Sequence, residues 1–237
     1  MNEIRNRKTK FLDLGLIDYK KAWDYQTNLF QSILDIKTEN RANNSQLPTN
    51  NYLFFCEHPH VFTLGKSGEE QNLLIKKEAL HTIEATYYHT NRGGDITYHG
   101  PGQLVVYPVI DLENFFTDIH QYMRLLEESV IQTLQEFDIK AGRIKGLTGV
   151  WLDSEHETKA RKICALGVKT SRWVTLHGLA FNVNSSLEYF DYIVPCGIQG
   201  KTVTSLEQEK GSAQDFQLVK SILKDKLANL FEMEIVN

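Results

Sequence analysis

Three segments of the chain repeat apolar residues at the spacing of one face of an α-helix. The first begins after Asp18, a residue type that often caps helix N-termini, the second at about Asp118 and the third at about Gln214. These patterns predict three helices whose apolar stripes face a core. The stripes contain Tyr19, Ala22, Trp23, Gln26, Phe30, Ile33 and Leu34; then Tyr122, Met123, Leu126, Val130, Leu134 and Phe137; then Leu218, Val219, Ile222, Leu223, Leu227, Leu230 and Phe231.

Short runs rich in β-branched and aromatic residues predict strands in the middle of the chain. They span residues 52–55, 61–64, 86–89, 103–109, 150–152, 162–168 and 174–182. A single long helix interrupts these strands, and strands and helices do not alternate regularly as in βαβ units. This order predicts an α/β protein of the α+β type, with helices packed on a mixed or antiparallel sheet.

Polar segments complete the predicted organisation. Residues 1–10 are polar and basic, which predicts a solvated tail, and they lack the apolar stretch of a secretory signal. Residues 37–51 are rich in Asn, Ser, Thr and Gln and predict an exposed loop. We interpret this loop as an insertion within a single domain, 1–237, whose core spans about 11–231.

Composition excludes several classes of function. The chain has 26 basic and 30 acidic residues and a formal net charge of −4, so a general affinity for nucleic acid or anionic membranes is not expected. No apolar run is long enough to predict a membrane span. The three cysteines, Cys56, Cys164 and Cys196, form an odd and sparse set. This usage favours a reducing compartment, and we expect a cytoplasmic protein.

The segment 92–103 concentrates glycines with chemically useful side chains. It contains four glycines and one proline, together with Arg92, Thr97 and His99. Such glycines let backbone approach a ligand closely, while an arginine supplies a positive fork and a histidine a donor or proton carrier. A tight hairpin would explain the glycines alone, but the added side chains favour a binding loop. Neither G-x-x-x-x-G-K-[ST] nor G-x-G-x-x-G occurs here.

A cysteine and a lysine form a second candidate centre. Cys196 stands between Pro195 and Gly197, which would hold its thiol on a constrained turn. A lone cysteine is more often a small buried hydrophobic residue. However, Lys162 opens an apolar strand, and a partly desolvated lysine beside a thiol would take its proton and form an ammonium–thiolate pair.

Two further features have alternative interpretations. His177 and Gly178 lie inside a predicted strand, where the glycine indicates either close approach of a ligand or a bulge. The basic residues Lys159, Arg161, Lys169 and Arg172 form either a docking surface for an acidic protein partner or an ordinary solvated face.

Four ordered motifs together resemble the lipoyl(octanoyl) transferase family. They are R-G-G-x-x-T-Y-H-G-P-G-Q, K-I-x-A-L-G-V, T-L-H-G-L-A-x-N-V and P-C-G, within a match that covers about residues 11–206. The 34 positions from Lys162 to Cys196 are similar to the family's spacing. The resemblance implies the catalytic fold shared with biotin and lipoate protein ligases.

The resemblance implies an octanoyltransferase of lipoate biosynthesis that needs no cofactor and no metal. Cys196, activated by Lys162, would take the octanoyl group from octanoyl-acyl carrier protein as a thioester. The group would then pass to a lysine of lipoyl domains, in 2-oxoacid dehydrogenase acyltransferase subunits or the glycine cleavage H protein. The substrate-binding residues that the resemblance implies are Arg92, Gly93, Gly94, Asp95, Ile96, Thr97, Tyr98, His99, Ala165, Leu166, Gly167, Gly178, Leu179 and Ala180, with His177 as a further candidate.

The sequence departs from the family pattern at a few positions. Cys164 stands where alanine is usual; strand alternation would place it on the same face as Lys162, either filling a small slot or competing as a thiol. Cys56 and His60 are interpreted as packing or loop variation. The alternative functions are an ATP-dependent lipoate or biotin ligase and a non-catalytic acyl-binding protein.

Overall fold

The computed structural model of the chain describes residues 5–156, 158–194 and 202–236. The helices are α1 (Tyr19–Asn43), α2 (Ile119–Gln135), α3 (Leu206–Lys210) and α4 (Phe216–Phe231). The strands are β1 (Lys8–Leu16), β2 (Asn51–Glu57), β3 (Val61–Leu64), β4 (Thr86–His89), β5 (Thr97–His99), β6 (Gln103–Val109), β7 (Ala141–Ile144), β8 (Leu147–Leu152), β9 (Arg161–Ser171), β10 (Val174–Asn182), β11 (Thr202–Val203) and β12 (Glu234–Val236). Short 3-10 helices span Glu70–Asn72, Lys77–Ile83, Leu112–Asn114 and Glu188–Tyr192.

A large mixed sheet forms the centre of the fold. Within the described ranges it has nine strands in the order β12-β1-β2-β6-β10-β9-β8-β7, with β11 paired to β9. Strand β1 is parallel to β2 and β12. The remaining neighbours in that spatial order, β2-β6-β10-β9-β8-β7, are all antiparallel. A second sheet has the order β4-β3-β5. The predicted mixed sheet is therefore confirmed.

Alternate residues of the central strands face opposite helical layers. On β2, Leu53 and Phe55 join the core cluster of α2 and α4, whereas Phe54 and Cys56 join the cluster of α1. Strand β6 is buried at every position because helices cover both faces of the sheet. Cys56 is therefore a packing residue, as predicted.

Aspartate side chains begin the three long helices. Asp18 accepts a hydrogen bond from the backbone N–H of Lys21, and Asp118 and Asp215 cap α2 and α4 in the same way. The three predicted helices are confirmed, although the third begins at Phe216 rather than at 214. No helix in the described part of the chain is both long enough and apolar enough to cross a membrane.

Two predicted polar segments are wrong in part. Helix α1 continues to Asn43, because Lys37 binds the carboxylates of Asp111 and Glu113 at 2.6 and 2.7 Å and fastens its last turns, so only the remainder of 37–51 is loop. The predicted tail is also too long, because β1 begins at Lys8. Thr9 is buried there between the neighbouring strands β2 and β12.

Candidate active site

A cavity of about 610 Å³ lies where β9 and β10 meet the segment that contains the Arg-Gly-Gly motif. The structure brings together at its wall the predicted residues Arg92, Gly93, Gly94, Asp95, Ile96, Thr97, His99, Lys162, Ala165, Leu166, Gly167, His177, Gly178, Leu179 and Ala180. Pro195, Cys196 and Gly197, including the predicted nucleophile, lie outside the described residues.

Small residues on neighbouring strands form one side of this cavity. Ala180 on β10 is paired with Ala165 on β9 and with Val105 on β6, and Gly178 is paired with Gly167. All five residues line the cavity. Because Ala165 and Ala180 carry only a methyl group and the two glycines present backbone, these residues border an apolar furrow across the strands. We call these five residues the furrow.

The Arg-Gly-Gly motif rests directly on β9. The Gly93 N–H donates to the Val168 carbonyl at 2.9 Å, and a Cβ atom at Gly167 would lie 2.8 Å from the Gly93 carbonyl oxygen. The buried Arg92 guanidinium donates through Nη2 to the Thr63 carbonyl on β3 at 2.6 Å. Arg92 therefore fastens the loop to the second sheet, and glycine at 167 is required for the loop to dock.

Glycine at 178 is required by the protein's own neighbouring strand. A Cβ atom there would lie 2.1 Å from the Val106 carbonyl oxygen and 2.8 Å from Pro108 Cδ on β6. The space that the sequence analysis assigned to a ligand or a bulge is thus filled by β6. The adjacent His177 has a φ of 63°, and its Nε2 lies 2.9 Å from Asn91 Oδ1.

Tyr98 stands apart from its neighbours in the predicted binding set. Thr97 and His99 line the cavity, but Tyr98 lies between them on β5, and its side chain faces the opposite side. Its hydroxyl lies 2.7 Å from His60 Nδ1, and its ring stacks on Tyr189 with centroids 5.0 Å apart. Tyr98 is therefore absent from the described cavity wall, its contact with substrate stays a prediction, and His60 is its packing partner.

A β-bulge separates Lys162 from Cys164. Val150 is paired with Cys164 and Trp151 with Lys162, so β9 has one extra residue, Ile163, at this point. Lys162 lines the cavity with Nζ 4.7 Å from the centroid of the Trp151 ring, whereas Ile163 and Cys164 belong to the core. The predicted shared face is wrong because the bulge breaks the alternation.

Cys164 is a packing residue, as its interpretation as a slot filler predicted. It is fully buried, and its Sγ contacts the Ala165 carbonyl at 3.6 Å. Burial raises the pKa of its thiol well above the usual value, so the thiolate is disfavoured.

Several residues of the cavity wall were missed in the sequence analysis. They are Tyr19, Ser67, Val105, Tyr107, Met123, Gly146, Leu147, Thr148 and Val168. Val105 and Tyr107 could have been found, because alternation along the predicted strand 103–109 places both on one face. In the described ranges, no group of three or more His, Cys, Asp and Glu side chains could hold a metal ion.

Three buried histidines surround the inner part of the site. Burial is the main cause that lowers the pKa of His99 and of His177 to about 3 and that of His58 to about 4, so all three are neutral near pH 7. His99 Nδ1 lies 2.8 Å from Gln103 Oε1 and donates to it. His58 Nε2 accepts from the Tyr107 hydroxyl at 2.8 Å, because its Nδ1 donates to a backbone carbonyl.

We expect these neutral histidines to make the fold sensitive to mild acid. An unfolded histidine has a pKa near 6.5, so the unfolded chain binds more protons than the folded one between pH 6.5 and about 4. The contribution of these histidines to the free energy of unfolding should be complete above pH 6.5. As the pH falls below 6.5, the free energy of unfolding should decrease by at most about 1.4 kcal/mol per pH unit for each histidine. Urea unfolding at pH 7, 6 and 5 measures this slope. A flat profile would contradict it.

The four basic residues suggested for carrier docking are spread along β9 and just beyond its two ends. Arg161 and Lys169 lie near opposite ends of β9, about 26 Å apart at the rise of a strand. Arg161 binds the Glu209 carboxylate at 2.6 Å, while Arg172 donates to the Thr38 hydroxyl at 2.6 Å. These internal contacts suit an ordinary solvated face, and a shared docking role stays a prediction.

Comparison with known proteins identifies the family. A model described as the lipoyl protein ligase A/B catalytic domain matches residues 18–228. An octanoyltransferase of Cytophaga hutchinsonii is 56% identical over 239 residues, covering 100% of this chain and 98% of that protein. One of Flavobacterium johnsoniae is 58% identical over 232 residues, covering 98% of this chain and 100% of that protein. This chain belongs to the octanoyltransferase family. The predicted family is confirmed, and with it the expectation of an enzyme.

Solved structures show where the octanoyltransferase family belongs among folds. A lipoate-protein ligase A bound with ATP has a TM-score of 0.65 at 14% identity, covering 98% of this chain and 90% of that chain. A bipartite lipoate protein ligase from Thermoplasma acidophilum, described with its E2 lipoyl domain, has a TM-score of 0.64 at 14% identity, covering 98% and 88%. These likenesses confirm the predicted lipoate ligase-like catalytic fold.

Proposed function

We propose that this chain, as a single catalytic domain, transfers an octanoyl group from an acyl carrier protein thioester to a lysine of a lipoyl domain. The observation that carries the proposal is the cavity itself, in which an apolar furrow and the Lys162 side chain share one space. Membership of the octanoyltransferase family supports the same chemistry.

The furrow suits a straight, saturated acyl chain. Its floor is made of Ala165, Ala180, Gly167 and Gly178, and Val105 bounds it on the β6 side. Burying the six methylenes of an octanoyl group would contribute about 5 kcal/mol of binding free energy. The cavity therefore offers an anchor for the acyl chain while the thioester carbonyl is directed to the reacting groups.

In the first step, Cys196 would attack the donor thioester. Lys162 accepts the thiol proton, and the thiolate sulfur adds to the octanoyl carbonyl carbon to give a tetrahedral intermediate. Collapse of the intermediate breaks the bond to the carrier's sulfur, and the Lys162 ammonium returns the proton to that leaving thiolate. One thioester replaces another, so the step is close to energetic balance.

In the second step, the amine of the lipoyl-domain lysine would attack the acyl-enzyme. The amine nitrogen forms a bond to the carbonyl carbon, the bond to Cys196 breaks, and the amine proton passes through Lys162 back to the thiol. The product is an octanoyl amide on the lipoyl domain. Conversion of a thioester to an amide is downhill, so neither ATP nor another cofactor is required.

Acceptors of this chemistry would be the lipoyl domains of 2-oxoacid dehydrogenase acyltransferase subunits and the glycine cleavage H protein. Octanoyl-acyl carrier protein would be the donor, and the reaction would take place in the cytoplasm. These partners follow from the resemblance of the motifs, and the related lipoate protein ligase with an E2 lipoyl domain supports the choice of acceptor.

The proposal is tested by mixing the protein with octanoyl-acyl carrier protein and an unmodified lipoyl domain, with and without ATP. We expect the intact mass of the lipoyl domain to increase by one octanoyl group at the same rate in both samples. A lipoyl domain with arginine in place of its target lysine is the control and should gain no mass. Transfer that occurs only from free octanoate with ATP would overturn the proposal in favour of a ligase.

A further inference from the structure

Glu127 on α2 is a buried carboxylate next to the wall that carries Lys162. Its side chain is fully buried, and Oε2 lies 2.8 Å from Arg124 Nη1 and 2.9 Å from Arg143 Nε. The other oxygen, Oε1, accepts a hydrogen bond from the backbone N–H of Gly149 on β8 at 3.1 Å. One buried side chain therefore joins two arginines to a backbone amide of β8, the strand next to the edge strand β7.

Gly149 presses against the side chain of Lys162. Its φ is 129°, and a Cβ atom there would lie 3.2 Å from Lys162 Cε and 2.8 Å from the Cys164 carbonyl oxygen. The β8 backbone that Glu127 holds is thus the surface on which the lysine stem rests. The Trp151 ring, two positions further along β8, lies against the Nζ end of the same side chain.

Anchoring of α2 alone does not explain a charge at Glu127. The neighbouring Glu128 already ties α2 to β7 through Arg143 Nη2, at 2.7 Å, and it does so from a partly exposed position. The Glu127 carboxylate is fully buried while its two arginine partners are 50% and 30% exposed, so the carboxylate loses its hydration for pairs that are partly screened by water. A second, buried carboxylate at this place therefore calls for a role beyond that of a tether.

Both Glu127 and Lys162 act electrostatically on the Cys164 thiol. Burial is the main cause of the raised pKa of the Cys164 thiol, but the Glu127 carboxylate raises it further and Lys162 lowers it. Both charges therefore act across the short stretch of β8 and β9 that contains the bulge.

We propose that Glu127 is a positioning residue for Lys162, acting through the Gly149 backbone. It holds β8 where it limits the lysine stem, because one carboxylate oxygen accepts from the two arginines and the other from the Gly149 N–H. A glutamine has a single oxygen and cannot accept on both sides. Glu127 is not among the residues that line the cavity, so it should affect the rate of the acylation step and not the binding of the donor. The inference rests on the proposed function of Lys162.

The test compares Glu127→Gln with Glu128→Gln, which makes the same change at the neighbouring position of the same helix. Single-turnover formation of the octanoyl-enzyme is followed by intact mass spectrometry over a range of octanoyl-acyl carrier protein concentrations. We expect Glu127→Gln to lower the maximal rate by tenfold or more, on the scale of misplaced catalytic groups, with an unchanged half-saturating concentration. Glu128→Gln should stay within about twofold of the unaltered protein.

The same substitutions in a Lys162→Ala background separate positioning from general damage. If Glu127 acts through Lys162, then Glu127→Gln has no further effect on the slow residual acylation, because the two substitutions remove one shared contribution. An equal loss in both backgrounds, or equal behaviour of the 127 and 128 variants, would overturn the inference. Should Glu127→Gln fail to fold, Arg124→Gln loosens the same carboxylate from a half-exposed position, with a loss in the same direction and the same dependence on Lys162. An unaltered protein that forms no adduct would instead refute the proposed function.

Discussion

Replacing Cys196 by alanine is expected to abolish the octanoyl-enzyme, whereas replacing Cys164 by alanine should leave its formation intact. The thiolate is the nucleophile, and only one of the three cysteines has motif neighbours that would expose it, since Cys56 and Cys164 are buried in the core. Intact mass spectrometry after mixing with octanoyl-acyl carrier protein, without ATP, measures the adduct. Hydroxylamine should remove it, as expected for a thioester.

The two alanine variants control for each other, because each loses one thiol and nothing else. Cys164 fills its place in the core, so its loss should lower the free energy of unfolding by about 1 kcal/mol while acylation continues. An adduct that persists in Cys196→Ala, or that disappears in a folded Cys164→Ala, would refute the assignment of the nucleophile.

Replacing Lys162 by alanine should lower the acylation rate by roughly 10²- to 10⁴-fold, the usual contribution of a positioned general base. Lys162→Arg should not restore the rate, because a guanidinium keeps its proton at any pH at which the protein is folded. Single-turnover acylation is the measurement, with thermal unfolding as a check that each variant folds. Lys159→Ala removes a lysine that is exposed near the start of the same strand, and it should acylate normally.

A rate for Lys162→Ala within tenfold of the unaltered protein would show that the thiol is activated by another group. His99 and His177 also line the cavity, but burial keeps both neutral and strongly lowers the pKa of each. They are therefore poor proton acceptors, and neither is expected to replace the lysine.

The helices and central strands could be predicted from sequence because side-chain periodicity specifies them. The caps at Asp18 and Asp118 and the strands 103–109 and 174–182 lie where the pattern indicates. Strand β1 could not be found this way. It is held by backbone pairing to β2 and β12, and its alternation is too weak to distinguish Thr9 from a residue of a polar tail.

The segments of the site were predictable, but the direction of individual side chains was not. The motifs identified the loop, β9 and β10. A glycine or a charged residue inside an apolar strand destabilises it, so such a residue indicates a specific role at that position. The bulge at Ile163 could not be recognised in the sequence, because one extra residue in a strand has no characteristic residue type. It removes Lys162 and Cys164 from the shared face that alternation predicts. Tyr98 shows the opposite case. Its motif neighbours suggested that it shares their face, but the simple alternation of β5 turns its side chain away from the cavity.

The position of β1 between β2 and β12 has a consequence for how the molecule folds. Lys8 is in register with Glu234, so hydrogen bonds join residues more than 200 positions apart in the sequence. Contacts between residues so far apart in sequence form slowly, because a long loop must close and lose conformational entropy before these contacts can stabilise the fold. During synthesis, the outer edge of β1 stays unpaired until almost the whole of this sequence has left the ribosome. In that interval the nascent chain presents an open strand edge to its neighbours, and the late arrival of β12 covers only its first three positions, 8–10.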